Sequence, residues 1–203
     1  MTNLDARLPQ YADAYAFLGN SLLVPMTEET AVGLAPEFWE QFPDFGSQDV
    51  ARAAADCAEF ARSMEGLGEE GAVERVAVEF ARLFVGPPHP AAAPWETMHR
   101  GRPTKVGFGQ PTFEMRDWMR RAGLQVSNQN NQYEDHMGLE LLLLSELCRA
   151  QDDRALEFMQ KHPLAWIERF CAKVAQAAPQ GYFHRLLCLT HALLAHHASG
   201  MRA

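Results

Sequence analysis

Carboxylates and a histidine that could do acid–base or metal chemistry lie close together in the second half of the sequence. The run Glu134, Asp135 and His136 is followed by Glu140. A carboxylate beside an imidazole can act as a general base or contribute ligands to a pair of metal ions. Helical two-metal bundles, however, use Glu-x-x-His pairs on two helices, and His136 and Glu140 have the reverse order and a different spacing. A metal-binding helical-bundle enzyme therefore stays an alternative, and we assign no catalytic residue.

A second set of potential ligands lies near the C-terminal end. The spacing of His184, Cys188 and His191 predicts that they share one face of a helix. A metal site needs ligands that converge from several directions, and one helix supplies too few. No Cys-x-x-Cys pair occurs among the four cysteines, which are Cys57, Cys148, Cys171 and Cys188. The sequence therefore predicts reduced thiols and a half-exposed histidine face without a metal.

The first set of candidate residues, from Glu134 to Glu140, lies within residues 131–149, NQYEDHMGLELLLLSELCR, and this segment must position them. Asn131 and Glu134 have the spacing of a capping box, which predicts a helix that begins at residue 131. From residue 137 onward the segment is apolar on nearly every side, and such a helix is buried on every side. We therefore expect a central helix. Gly138 lies within it, and a glycine there indicates close approach of another backbone.

The remaining segments also have helical periodicity, and strand patterns are almost absent. Pro36 is expected to break the second segment, and Pro111 and Pro163 suit first helical turns. Residues 1–203 are therefore predicted to form one all-α domain, a non-repeating bundle of about eight to nine helices. The predicted helices span residues 8–23, 27–42, 48–65, 72–84, 111–123, 131–149, 152–161, 163–178 and 180–197.

One segment, residues 85–110, breaks the helical pattern. It is rich in proline and glycine, which predicts an irregular loop. Loops of this length in compact domains tend to be functional or disordered. The large apolar residues Trp95, Met98 and Phe108 argue against disorder. They either pin the loop to the body of the protein or line a binding surface.

Composition and charge restrict the class of partner. The chain has 203 residues, 47% of them hydrophobic, and a formal net charge of −8. That charge argues against nucleic acid, because phosphate binding requires a basic surface. Residues 1–80 contain 15 acidic and 4 basic residues, which gives this part a net charge of −11. This acidic part is either a solvated surface or a field that attracts a cationic peptide.

The sequence also predicts the cellular compartment of the protein. The first ten residues, MTNLDARLPQ, contain no basic segment followed by an apolar run, so no secretory signal is predicted. No apolar stretch reaches the length of a membrane span. Together with the absence of paired cysteines, these features predict a cytoplasmic protein without stable membrane insertion.

Two blocks of the sequence resemble the signature blocks of the TorD/DmsD/NarJ family of cytoplasmic chaperones for molybdenum-cofactor oxidoreductases. The first block is FARLFVGPPHPAAAPWET, residues 80–97, and the second is NQYEDHMGLELL, residues 131–142. The matching positions of the two blocks are Phe80, Leu83, Phe84, Gly86, Pro87, Pro94, Trp95, Glu96, Thr97, Asp135, His136, Glu140 and Leu141. The later segment KHPLAWIERF is also similar.

The resemblance implies a chaperone and not an enzyme. Such a protein binds the N-terminal signal peptide, often a twin-arginine signal, of the catalytic subunit of a molybdopterin oxidoreductase. It holds back export until the cofactor is loaded. The residues expected to border the peptide groove are Asp135, His136, Pro94, Trp95 and Glu96, with Phe84, Met98 and Tyr133 as apolar walls and Tyr15 as a weaker candidate. We expect helix-in-groove recognition of the apolar part of the peptide.

Some details differ from the family or stay open. Gln132 and Tyr133 stand where the family usually has Glu and Pro, which bears on the shape of the turn before the Asp–His pair. The weak guanine-nucleotide binding suggested for some members depends on that turn, and we expect no other cofactor. An adaptor that binds a folded client surface remains an alternative. The oligomeric state is either a monomer or a domain-swapped dimer.

Overall fold

The computed structural model describes residues 7–101, 108–125 and 132–202, and within these ranges the chain forms nine α-helices. The helices are α1 (Leu8–Leu23), α2 (Pro36–Glu40), α3 (Gln48–Met64), α4 (Gly68–Phe80), α5 (Gln110–Arg121), α6 (Met137–Arg149), α7 (Ala155–Lys161), α8 (Pro163–Ala177) and α9 (Tyr182–Gly200). Short 3₁₀ turns lie at Glu28–Leu34, Glu65–Leu67 and Glu96–Met98, and a π-helical turn at Ala81–Val85 extends α4. In the described ranges, β-type pairing is limited to one isolated bridge, between Trp95 and His136. The predicted all-α bundle is confirmed.

Several helices begin where the sequence carries a start signal. The Ser47 side chain caps α3 by accepting a hydrogen bond from the Val50 amide. Pro111 and Pro163 lie in the first turns of α5 and α8, where a missing amide hydrogen costs no helical bond. The predicted break at Pro36 is also observed, since a 3₁₀ turn ends before it and α2 begins at it. Local chemistry therefore accounts for where these four helices begin.

The centre of the fold is the contact between α1 and α6. Gly19 lies against Gly138, and the Ser145 hydroxyl donates to the Ala12 carbonyl across 2.7 Å, so the two helices run antiparallel. A Cβ atom at Gly138 would lie 2.6 Å from the Gly19 carbonyl oxygen, and one at Gly19 would lie 2.8 Å from that of Gly138. The prediction that Gly138 permits close approach of another backbone is confirmed.

A continuous hydrophobic cluster receives buried side chains from all nine helices. In α6 the leucines at positions 141, 143, 144 and 147 are at most 2% exposed, as expected for a central helix. Such a cluster is what one domain requires, although the single domain over residues 1–203 stays a prediction. Among the described helices, including the 19-residue α9, none combines the length and apolarity that a membrane crossing needs.

The predicted start of the central helix is wrong. Helix α6 begins at Met137 with His136 as its N-cap, and residues 132–136 are not helical. Asn131, the predicted cap, lies outside the described residues. The physical reason is a competing set of backbone hydrogen bonds. The Asp135 carbonyl accepts from the Glu96 amide at 2.8 Å, and the Met137 amide donates to the Pro94 carbonyl at 2.9 Å, which holds this stretch against the loop in a non-helical turn.

The close approach of α1 and α6 predicts that Gly19→Ala destabilises the fold. Alanine has a higher helix propensity than glycine by about 1 kcal/mol, but the new methyl group would overlap a backbone carbonyl, at a cost of roughly 1–3 kcal/mol. We expect a net loss of up to about 2 kcal/mol in the free energy of unfolding, measured by urea denaturation.

Gly71→Ala in α4 is the matched control. Its Cβ atom would lie 3.4 Å from the Leu67 Cβ atom, an ordinary contact, so this variant should gain up to about 1 kcal/mol. Equal gains in both variants would contradict the tight α1–α6 contact.

Candidate functional site

The irregular loop, Gly86 to Gly101, is fastened to the start of α6. The two backbone hydrogen bonds that join Glu96 to Asp135 and Met137 to Pro94 flank the bridge between Trp95 and His136. The fold therefore brings together five of the predicted site residues, Pro94, Trp95, Glu96, Asp135 and His136. Trp95 is partly buried, whereas the other four are buried. Residues 102–107 of the predicted loop lie outside the described residues.

The Asp135 carboxylate holds three segments of the chain together. Its Oδ2 atom accepts hydrogen bonds from the Thr97 amide at 2.9 Å and from the Thr97 hydroxyl at 2.6 Å. Its Oδ1 atom accepts from the Thr112 hydroxyl of α5 at 2.9 Å. Burial raises the pKa of Asp135, and the hydrogen bonds from Thr97 and Thr112 oppose that shift. The side chain is 0% exposed, so in this conformation it positions the loop rather than facing solvent.

His136 is a buried, neutral helix cap. Its Nδ1 atom accepts a hydrogen bond from the Gly138 amide at 3.0 Å. Burial lowers the pKa of His136 to about 3, since a charged imidazolium would lose its hydration. At neutral pH the ring carries no charge, and its Nδ1 lone pair is engaged by the backbone. The arrangement is not that of a general base.

Three side chains that could hold a metal, Glu96, Glu140 and His162, meet beneath the loop. One ligand atom from each lies within 4.8 Å of the others, and all three residues are buried. The Glu96 carboxylate pairs with Arg100, and its Oε2 atom lies 2.9 Å from His162 Nδ1. The Trp166 indole donates to both carboxyl oxygens of Glu140, at 3.0 and 3.2 Å. Burial and the neighbouring Glu96 charge raise the pKa of Glu140 well above its usual range.

This buried network favours a structural role over catalysis. Its carboxyl oxygens already have partners within the protein, whereas a catalytic metal needs free ligand atoms and an open position. Arg100 also donates to the Lys161 carbonyl at 2.9 Å, which joins the loop to the end of α7. Glu96, predicted to border the peptide groove, thus turns its carboxylate into the interior.

The accessible part of the site is an aromatic patch, which we define as Trp95, Phe108, Phe113 and Tyr133. Phe108 lies at its centre, with its ring centroid 5.1 Å from that of Phe113 and 5.5 Å from that of Tyr133. The Trp95 and Tyr133 centroids are 6.3 Å apart. Phe108, Phe113 and Tyr133 are 37%, 48% and 38% exposed. The Arg116 guanidinium lies over Phe108 and Phe113 and pairs with Glu134 across 2.6 Å.

Three other predicted site residues lie in different surroundings. Phe84 is buried between the aromatic rings of Phe80 and Phe183. Tyr15 is fully buried, with its hydroxyl 3.1 Å from His197 Nδ1. Met98 is half-buried at the end of the 3₁₀ turn. The assignment of all nine residues to peptide binding stays a prediction.

Phe113 was not among the predicted site residues, although the sequence carried a signal for it. The buried residues of α5 are Thr112, Met115, Trp118 and Met119. Helical periodicity places Phe113 on the opposite side of α5 from these four residues. A phenylalanine on the polar side of an amphipathic helix, next to an apolar loop, indicates a surface that binds something.

The buried neutral state of His136 predicts a specific pH dependence of stability. In the unfolded chain this histidine takes up a proton below its usual pKa of about 6.5, whereas the folded protein resists protonation down to about pH 3. The free energy of unfolding is therefore not reduced by His136 above about pH 6.5, and it decreases as the pH falls below that value because only the unfolded chain binds the proton. Asparagine is also a good N-cap, so His136→Asn removes the titration and keeps a cap acceptor.

We expect the difference in unfolding free energy between wild type and His136→Asn to shrink by about 2 kcal/mol between about pH 7.5 and 5. Urea denaturation at several pH values measures it. The control is His89→Asn, a change at an exposed histidine of the same loop, which should keep the wild-type pH dependence. A constant offset between wild type and His136→Asn would contradict the buried neutral imidazole.

The sequence is similar to one protein family and to several named proteins. The sequence profile of a family described as the nitrate reductase delta subunit matches residues 47–172. A protein named probable Tat proofreading chaperone DmsD, from Haemophilus influenzae, is 25% identical over 64% of this chain and 63% of its own length. Tat proofreading chaperone DmsD from Salmonella typhimurium is 36% identical over 56% of each chain. Chaperone protein TorD from Shewanella sp. is 27% identical over 77% of this chain and 75% of its own length.

The family match covers the site, whereas the relatives are matched over only part of their length. The alignments span less than two thirds of the two DmsD proteins. The family match runs from the start of α3 into α8, and so includes the loop, α5 and the start of α6. Since it covers more than half of the chain, the protein belongs to the nitrate reductase delta subunit family, the TorD/DmsD/NarJ family that its two signature blocks resemble.

Proposed function

We propose that this protein is a cytoplasmic chaperone, without enzymatic activity, for the precursor of one molybdopterin oxidoreductase. It binds the N-terminal signal peptide of the catalytic subunit, a twin-arginine signal, until the cofactor has been inserted. The names of three relatives, two Tat proofreading chaperones and a chaperone protein, support this class of function. No tightly bound cofactor of its own is part of the proposal.

The aromatic patch is the observation that carries the proposal. Exposed contiguous apolar surface is uncommon in soluble proteins and marks sites of interaction. Trp95 comes from the loop, Phe108 and Phe113 from the start of α5 and the residues just before it, and Tyr133 from the turn before α6. The four rings therefore form one surface only when these three segments are locked together. A signal peptide contains an apolar stretch that can form a helix, and its apolar face would cover these rings.

Asp135 and His136 border this surface from beneath. The Asp135 hydrogen bonds fix Thr97 next to Trp95, and the His136 ring lies edge-on to the Trp95 indole with centroids 6.0 Å apart. In the proposal Asp135 and His136 hold the aromatic patch in its binding geometry, and the peptide contacts the four rings of the patch. A surface that is ordered before binding loses less conformational entropy when the peptide arrives.

Electrostatics favours the encounter with a cationic peptide start. The chain has a net charge of −8, and the excess of acidic residues lies in residues 1–80. Such a field raises the rate of association with a positively charged segment and weakens as salt is added. The apolar patch then supplies affinity, whereas the charge supplies attraction over distance.

Substitution of the exposed rings tests the proposal. Phe113→Ala removes a ring that is half exposed, so the fold should tolerate it. The loss of this aromatic contact should weaken peptide binding by about 1.5–2.5 kcal/mol, or roughly 10–70-fold. Fluorescence anisotropy with labelled twin-arginine signal peptides of molybdoenzyme catalytic subunits measures the affinity. The double variant Phe113→Ala/Tyr133→Ala should bind more weakly still.

Val78→Ala is the matched control, since Val78 is an exposed apolar residue of α4, 62% exposed and outside the aromatic patch. It should bind like wild type. Unchanged affinity in the Phe113 and Tyr133 variants would show that the peptide binds elsewhere. Binding to a folded catalytic subunit without its signal peptide, and no binding to the peptide alone, would favour the adaptor function instead.

A further inference from the structure

A second cluster of potential ligands lies between α8 and α9, among residues that do not form the aromatic patch. Cys171 of α8 faces Cys188 of α9, and their sulfur atoms are 3.7 Å apart. One ligand atom each from Cys171, His184 and Cys188 lies within 4.8 Å of the others. All three residues are half-buried, so solvent and ions can reach them. The sequence alone indicated only the α9 side of this cluster, and α8 supplies the residue that makes the ligands converge.

The helical register places these side chains together. His184 and Cys188 are four residues apart and therefore lie on one face of α9. Phe170, next to Cys171 in α8, is fully buried in the hydrophobic core. Packing of α8 against α9 thus sets the distance between the thiols without a covalent bond.

A hydrogen bond to the backbone fixes the tautomer of the His184 ring. Its Nδ1 atom lies 2.8 Å from the Pro179 carbonyl oxygen. Since a carbonyl oxygen only accepts, Nδ1 carries the proton and Nε2 keeps a lone pair for coordination. A hydrogen bond from the non-ligating nitrogen to a backbone carbonyl is the usual arrangement for metal-bound histidines.

We propose that Cys171, His184 and Cys188 form a zinc-binding site that joins α8 to α9. Zn²⁺ takes thiolate and imidazole ligands in a tetrahedron, and zinc–sulfur bonds of about 2.3 Å at the tetrahedral angle place two sulfurs about 3.8 Å apart. The observed separation of 3.7 Å matches this edge of the tetrahedron. Three protein ligands leave one position, and the half-buried setting lets water fill it.

The same thiols could instead form a disulfide, whose sulfur atoms would lie about 2.05 Å apart. That alternative gives His184 no role, whereas the metal site uses all three side chains and the Pro179 contact. Bound zinc would fasten the start of the C-terminal helix to its neighbour and stabilise the fold, because the folded site binds the ion and the unfolded chain does not. The proposal does not rest on peptide binding, since it uses no residue of the aromatic patch.

Zinc titration under reducing conditions tests the site. We expect wild-type protein to compete with a chromogenic chelator for one equivalent of Zn²⁺, and its melting temperature to rise when zinc is added. Cys171→Ser, Cys188→Ser and His184→Gln should each weaken zinc binding by at least about 100-fold, since loss of an outer-shell partner alone costs roughly 10–100-fold. Co²⁺ in place of Zn²⁺ should give thiolate-to-cobalt charge-transfer absorption that is much weaker in both serine variants, since each of them keeps only one thiolate.

Two variants serve as controls. His191→Gln changes the neighbouring histidine of α9, which lies 3.6 Å from Glu168, and Cys57→Ala removes a buried thiol elsewhere. Both should bind zinc like wild type, and circular dichroism confirms that each variant is folded. Less than a stoichiometric amount of zinc in wild type, or equal affinity in the three ligand variants, would overturn the proposal. Formation of a Cys171–Cys188 disulfide on mild oxidation, with no zinc bound by the reduced protein, would also overturn it.

Discussion

The hydrogen bonds of one buried carboxylate hold the site together. A carboxylate removed from water is costly unless donors compensate for the lost hydration. Thr97 and Thr112 provide three donors to Asp135, from a loop and from a separate helix. The loop, the start of α5 and the turn before α6 are thereby joined at one point. The position of Trp95, and with it the aromatic patch, depends on this junction.

A second buried polar layer explains why a segment rich in proline and glycine is ordered. Glu96 pairs with Arg100 of the same loop and joins the loop to His162, and Glu140 accepts from the Trp166 indole. Buried polar groups of this kind fix one arrangement, since each alternative leaves some of them without partners. The loop therefore presents Trp95 on a rigid base, which suits the peptide-binding surface that we propose.

Properties encoded over a few residues were predictable from the sequence, and those that depend on distant partners were not. Helix periodicity, the break at Pro36 and the close approach at Gly138 are local signals, and the structure confirms them. The start of α6 was misplaced because its backbone pairs with a loop some 40 residues earlier. For the same reason Glu96 was expected at the surface, although His162, which pairs with it, lies 66 positions away. Side-chain types identify candidates, but pairing across the fold decides which of them face solvent.

The α1–α6 contact has a consequence for biosynthesis. Gly19 and Gly138 are 119 positions apart, so α1 lacks its packing partner while all of the intervening chain is made. At a translation rate of about 5–20 residues per second, its apolar face stays uncovered for roughly 6–24 s on the ribosome. A protein that we propose shields the leader of another chain is thus made with its own apolar helix α1 uncovered for part of its synthesis.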